Sequence, residues 1–249
     1  MISLRLTRFL RAGPPRHAVA LTAAAALALW VCGTAAGAPP APAPEQRLAL
    51  LMSTQIARRA PGTRSPAIES VPDRRPITGE RTTLPVLGKP VLLRGADWLH
   101  VMLPGRPDGS TGWIKQVGTR ELFTPWRITV ELLPRRVKVF RSGRLLKTYL
   151  AVVGKPTTPT PTGRFFVEET VLLAPGENDG PFALALSARS NALQEFEGGP
   201  GQIGIHGRDG LGGTLGTAAS HGCVRLDTPS IDWLAARIGP GTPVTIEQG

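Results

Sequence analysis

The chain has 249 residues with a formal net charge of +11 and 5% aromatic residues. That length is enough for one or two domains with a real core. The lysines and arginines are scattered, with no interleaved aromatics and no nucleic-acid motif, so a nucleic-acid partner is excluded. Four of the charges (Arg5, Arg8, Arg11 and Arg16) lie at the N-terminus, leaving +7 beyond it.

Those four arginines form a basic stretch without an acid, followed by an apolar run from Ala18 to Val31 and then the small residues "CGTAAGA". This order is that of a secretory signal peptide over residues 1–36, cleaved after Ala36. The alternative is an uncleaved anchor, for which the run is short, because a membrane span takes about 20 apolar residues. Trp30 and Val31 before Cys32 speak against a lipoprotein signal. The reading places the protein outside the cytoplasm, in the periplasm or cell wall, or on the membrane if the signal is retained. There the available polyanions are wall polymers and lipid headgroups.

Residues 37–80 begin with "GAPPAPAPEQ", a stiff extended spacer. Leu48, Leu51 and Ile56 predict one face of a short helix, and the Pro-, Gly- and charge-rich stretch 60–80 reads as linker. Over residues 81–120, "TTLPVLG", "PVLLRG", "DWLHVMLPG" and "TGWIKQ" predict short strands separated by turns such as "RPDGS". Residues 126–248 again favour strands, with "RITVEL", "RVKVF" and "LLKTYLAVV" joined by the turn "RSGR", and then "TPTGRFFVEETVLL". Ile231, Leu234, Ala235 and Ile238 predict a helix, with Asp227 or Thr228 as N-cap and Gly239 as its stop. "GTPVTIEQG" predicts a last strand. The fold class is mostly β, a small barrel followed by a β-rich domain with a short helix near its C-terminus.

Cleavage would remove Cys32 and leave Cys223 as a lone thiol in a compartment where disulfides are the default use of cysteine. Such a leftover cysteine marks an intermolecular bridge or a reactive thiol. His221 lies two residues before it and His206 seventeen before it, while His17 is in the signal and His100 in the predicted barrel. A cysteine with a histidine is the pairing needed for nucleophilic catalysis, in which a base takes the thiol proton. The surrounding glycines let backbone amides approach a substrate, and the amides of Gly222 and Cys223 are candidate donors to an oxyanion. Zinc on His206, His221 and Cys223 would lack a fourth ligand. Spacing alone leaves open which histidine is the base, and whether these are satisfied loop residues without chemistry.

The segment "IHGRDGLGGTLGTAASHGCVRL" resembles the signature of the L,D-transpeptidase catalytic domain, the YkuD type. "GKPTTPTPTGRF" and "GTPVTI" match two further stretches of that family. The resemblance implies that Cys223 is the nucleophile and His206 the base, with His221 lining the site. It implies that Ser220, Gly207 and Gly222 shape the turn, and that Arg225 either meets a substrate carboxylate or ties down the loop. It further implies no cofactor and no metal, peptidoglycan stem peptides as substrates, and acylation by carbapenem-type β-lactams. Residues 81–120, with Trp98, Val101, "PGRPDG" and "GWI", resemble the bacterial SH3-like domain. That module would either contact a cell-wall polymer or serve structure alone. The rival readings are an L,D-carboxypeptidase with water as acceptor, a wall-peptidase cysteine hydrolase, and an inactive wall-binding protein. In the hydrolases the cysteine precedes the histidine, the reverse of the order here.

Overall fold

Residues 45–174, 180–196 and 198–249 are described in a computed structural model of the chain. The expected signal peptide and the Pro/Ala spacer up to Pro44 lie outside the described residues. Two sheets carry the structure. The first has seven strands, β1 (Gln46–Leu51), β2 (Gln55–Arg58), β3 (Ala67–Val71), β4 (Thr83–Leu93), β5 (Ala96–Met102), β6 (Thr111–Lys115) and β7 (Thr119–Thr124), in the order β3-β2-β6-β5-β4-β1-β7. All its pairings are antiparallel.

Among the described residues, regular structure therefore begins at residue 46, not 81. The helix expected around Leu48, Leu51 and Ile56 is instead two strands, and the expected linker contributes β3 and an antiparallel bridge between Arg74 and Arg81. The physical reason lies in β1. It sits between β4 and β7 and is covered on both faces, so the consecutive residues Leu48 and Ala49 are both buried, as is Leu51. A strand buried on both faces does not alternate in sequence. Ile56, expected on the same apolar face, is exposed.

The second sheet is built from β8 (Trp126–Glu131), β9 (Arg136–Arg141), β10 (Arg144–Leu150), β12 (Gly163–Leu172), β13 (Phe182–Arg189), β14 (Gln202–His206), β16 (Val224–Arg225) and β17 (Pro243–Glu247). Its order is β10-β9-β8-β17-β12-β13-β14-β16, so the C-terminal strand is inserted between β8 and β12. A separate parallel pair joins β11 (Val153–Gly154) to β15 (Ala218–Ser220). The predicted helix is α1 (Thr228–Ala235), whose N-cap Asp227 accepts a hydrogen bond from the Ser230 amide through its side chain. Its buried face, Ile231 and Leu234, joins Leu184, Leu186, Ile205, Val224 and Val244 in one apolar core.

One strand binds the two layers together. Neighbouring side chains on a strand point to opposite faces. Accordingly Phe165 and Val167 enter the core of the second sheet, while Phe166 enters the core of the first, beside Leu84, Val101 and Ile114. Burial of one such ring stabilises by roughly 1.5–3 kcal/mol. The strand then breaks its alternation with a bulge between Val167 and Glu169, which lets consecutive carboxylates meet the same partner. Glu168 pairs with Arg75 and with Arg189 (3.1 Å), and Glu169 lies 3.7 Å from Arg75 and accepts hydrogen bonds from the Thr78 amide and hydroxyl, both at 2.8 Å. Both carboxylates are almost wholly buried. Burial lowers the Arg75 guanidinium below its usual value and pushes Arg189 down to about 10, still charged at neutral pH.

Candidate active site

The thiol is placed by a short parallel pairing. β14 and β16 run side by side with Ile205 opposite Val224 and His206 opposite Arg225, so Cys223 falls next to Gly204. Along β14 the apolar Ile203 and Ile205 point into the core. Gln202, Gly204 and His206 then face the other way by simple alternation. The Gly204 amide donates to Cys223 Sγ at 3.4 Å, and Sγ lies 4.0 Å from the Gln202 carbonyl. An N–H aimed at sulfur favours the thiolate. Cys223 is a thiol, half-buried, at the floor of a cleft of about 480 Å³ that His206, His221, Ala219 and Arg225 also line.

His206 is 5% exposed and its Nδ1 lies 2.7 Å from the Gly207 carbonyl. A carbonyl can only accept, so Nδ1 carries the proton and neutral His206 holds its lone pair on Nε2. Gly207 thus acts through its carbonyl, which selects the tautomer that a base requires.

The turn bearing the thiol is cross-braced by hydroxyls. Ser220, fully buried, donates to the Cys223 carbonyl (2.6 Å) and accepts from the Gly222 amide (3.1 Å). That amide, a candidate oxyanion donor from sequence, donates here to Ser220, and Gly222 also shapes the turn. Its φ of +124° suits glycine, and a Cβ there would stand 2.9 Å from Ile203 Cδ1. Thr160 donates to the Gly222 carbonyl (2.7 Å) and accepts from the Gly154 amide (2.9 Å), and Thr158 donates to the Ser220 carbonyl (3.2 Å). Gly154 permits this close approach, because a Cβ would lie 2.4 Å from the Thr160 nitrogen.

His221 is exposed at the cleft wall. Its Nε2 accepts from Lys155 Nζ at 3.2 Å, and its ring stacks on Phe196 with centroids 5.6 Å apart. Arg225 lines the cleft and also donates to the Gly212 carbonyl (2.8 Å), so it does hold the glycine-rich loop while its Nε is buried without a hydrogen bond. Arg208 grips the same loop through the Gly213 carbonyl.

Sequence reasoning missed Lys155, Thr158, Thr160, Phe196, Gln202 and Gly204. The run "GKPTTPTPTG" was the available signal for the first three. A second cleft of about 610 Å³ also reaches Cys223 and His206, shares Phe196, Gln202 and Ile203 with the first, and is lined as well by Arg75, Pro76 and Ile77. Those three residues follow β3 and belong to the first sheet's connections. Among the described residues, no three His, Cys, Asp or Glu side chains are grouped as metal ligands.

Comparisons with known proteins bear on the same residues. Residues 125–246 match the model of the YkuD family, described as the L,D-transpeptidase catalytic domain. YkuD of Bacillus subtilis (strain 168), a proposed L,D-transpeptidase, is 30% identical over 148 residues, spanning 59% of this chain and 74% of that protein. The protein of the same name from Bacillus licheniformis is 34% identical over 122 residues, spanning 49% of this chain and 66% of its own. Among solved structures, the L,D-transpeptidase LdtMt1 in complex with imipenem aligns with 18% identity and a TM-score of 0.43, over 67% of this chain and 91% of that one.

Proposed function

The chain belongs to the YkuD family of L,D-transpeptidases, and from that premise we propose that it is an exported enzyme that cross-links peptidoglycan by thioester acyl transfer. Cys223 Sγ attacks the carbonyl of the third residue of a tetrapeptide stem. A C–S bond forms, the C–N bond to the terminal D-alanine breaks, and His206 Nε2 carries the thiol proton to the departing amine. A side-chain amine of a neighbouring stem then attacks the thioester. The new C–N bond replaces C–S, and the amine proton returns through His206 to the sulfur. The product is a 3-3 cross-link. His221 and Arg225 line the donor's path, and no cofactor or metal takes part. Carbapenem-type β-lactams would acylate the same sulfur.

One observation supports the choice of transfer over hydrolysis: two clefts share Cys223 and His206 but differ in their outer linings, one reaching the glycine-rich loop at Gly212 and Gly213, the other reaching Arg75 and Ile77. A two-substrate reaction needs an approach for the donor and another for the acceptor, whereas water needs neither. In the same reading residues 81–120, within the seven-stranded sheet, form an SH3-like module that contacts the wall polymer, and residues 1–36 direct export.

Purified protein incubated with a disaccharide-tetrapeptide, with Cys223→Ala alongside, tests the proposal by mass spectrometry of the products. Cross-linked dimers with D-alanine release, absent from the variant, are expected. Tripeptide monomers alone would make the enzyme a carboxypeptidase, and no product from either folded protein would leave a wall-binding role.

A further inference from the structure

The wall of the first cleft opposite the glycine-rich loop is formed by residues 190–196 and 198–201. These double back on themselves. The Ser190 amide donates to the Gly201 carbonyl (2.7 Å), closing the neck, and Phe196 bridges to Gly199. Ser190, Leu193, Phe196 and Gly201 all line the cleft. Phe196 also stacks on His221, so the position of this wall fixes the ring beside the thiol turn.

What holds the neck comes from the other sheet. Arg106, in the β5–β6 connection, donates to three carbonyls of the wall: Ser190 (2.7 Å), Pro200 (2.9 Å) and Leu193 (3.3 Å). Two residues on, Asp108 accepts from the Arg189 amide (2.8 Å). Three carbonyls converging on one guanidinium suit a planar fork of five donors, and a lysine ammonium would satisfy them poorly. The contacts link residues more than eighty apart in sequence, between the seven-stranded sheet and the catalytic wall.

We infer that Arg106 is a positioning residue, through which the N-terminal sheet sets the substrate-binding wall and the stacking of Phe196 on His221. The module is thereby part of the active site's architecture, not only an appendage that brings the enzyme to its substrate. This rests on the transpeptidase reading for its kinetic consequence alone; the clamp itself is a statement about order in residues 190–196 and 198–201.

The test is hydrogen exchange on the full chain, comparing wild type, Arg106→Ala and Arg106→Lys, with steady-state acyl transfer measured alongside. In Arg106→Ala, exchange at residues 190–201 should rise at least tenfold while β4, β5, β12 and β13 keep their protection. Arg106→Lys should fall between the two. Acyl transfer should lose about tenfold in kcat/KM, chiefly through KM, since the wall holds substrate and does not touch the reacting atoms. Unchanged exchange in residues 190–201 would overturn the inference. So would a uniform rise over both sheets, which would make Arg106 a general stabiliser, and so would Arg106→Lys and Arg106→Ala showing the same exchange. A local rise in exchange with a wild type that transfers no acyl group would uphold the clamp and refute the transpeptidase reading.

Discussion

Replacing Thr160 by valine removes one hydroxyl and nothing else of consequence to shape. That hydroxyl is 2.7 Å from the Gly222 carbonyl, to which it donates, and 2.9 Å from the Gly154 amide, from which it accepts. Thr160 is 4% exposed, and the bond to Gly222 is buried while that to Gly154 is partly so. Each buried polar group left unsatisfied costs about 1–3 kcal/mol, with the partly buried Gly154 amide toward the low side, so Thr160→Val should lose about 2–4 kcal/mol. Thr160→Ser keeps both hydrogen bonds and gives up one methyl, worth about 1 kcal/mol. Urea titration of both variants reads the difference, with an unchanged m-value confirming that the unfolded state is the same. The loosened Gly222 carbonyl frees the turn that aims Cys223, so the valine variant should also alkylate at an altered rate with iodoacetamide. A Thr160→Val protein within about 0.5 kcal/mol of wild type, or a serine variant as damaged as the valine one, would refute this reasoning.

The buried ion cluster gives a larger effect. Arg75→Met takes the guanidinium from both carboxylates, leaving Glu168 with Arg189 and Glu169 with Thr78, and should cost about 3–5 kcal/mol by urea titration, and adding Glu168→Gln should recover part of it. Phe166→Ala empties the site where β12 enters the first core and should cost about 3–5 kcal/mol by the same measurement. Asp108 supplies a pH signature. Burial raises its carboxyl above the usual 3.8, with the Arg189 amide and the nearby Arg189 and Arg106 charges opposing. The native state therefore binds the Asp108 proton more tightly than the unfolded state does. Relative to Asp108→Asn, the wild type should gain stability as pH falls, fully so below the usual value, and lose that gain as pH rises through the raised one. Urea titrations of the pair across the acid range read this, and the opposite slope would contradict it.

The catalytic half was largely legible because its strands are covered on one face or sit between clear turns. "RITVEL" and "RVKVF" alternate, and Asp227 before "TPSIDWLA" caps the helix as the pattern predicts. β1 was misread because burial on both faces erases alternation, and Leu48 with Leu51 then mimics a helical spacing. The stretch 60–80 looked like linker because its charges and prolines seemed unable to be buried. The Arg75 side chain is largely covered because Glu168 and Glu169 arrive about ninety residues later to pair with it. Cys223, His206 and His221 stood out by residue type. Thr158 and Thr160 did not, since their partners lie 62 residues away and no local pattern announces a carbonyl. For a similar reason, only the folded turn shows that the Gly222 N–H, a candidate oxyanion donor, donates to the Ser220 hydroxyl.

The measurement that tests the central claim most directly is to quench the protein during turnover with a disaccharide-tetrapeptide, digest it, and map any acyl adduct by mass spectrometry. The account predicts a thioester of the disaccharide-tripeptide on the peptide carrying Cys223, with D-alanine lost, and a slower appearance of that adduct in His206→Gln. Product formed without an adduct on Cys223, or undiminished in Cys223→Ala, would contradict it.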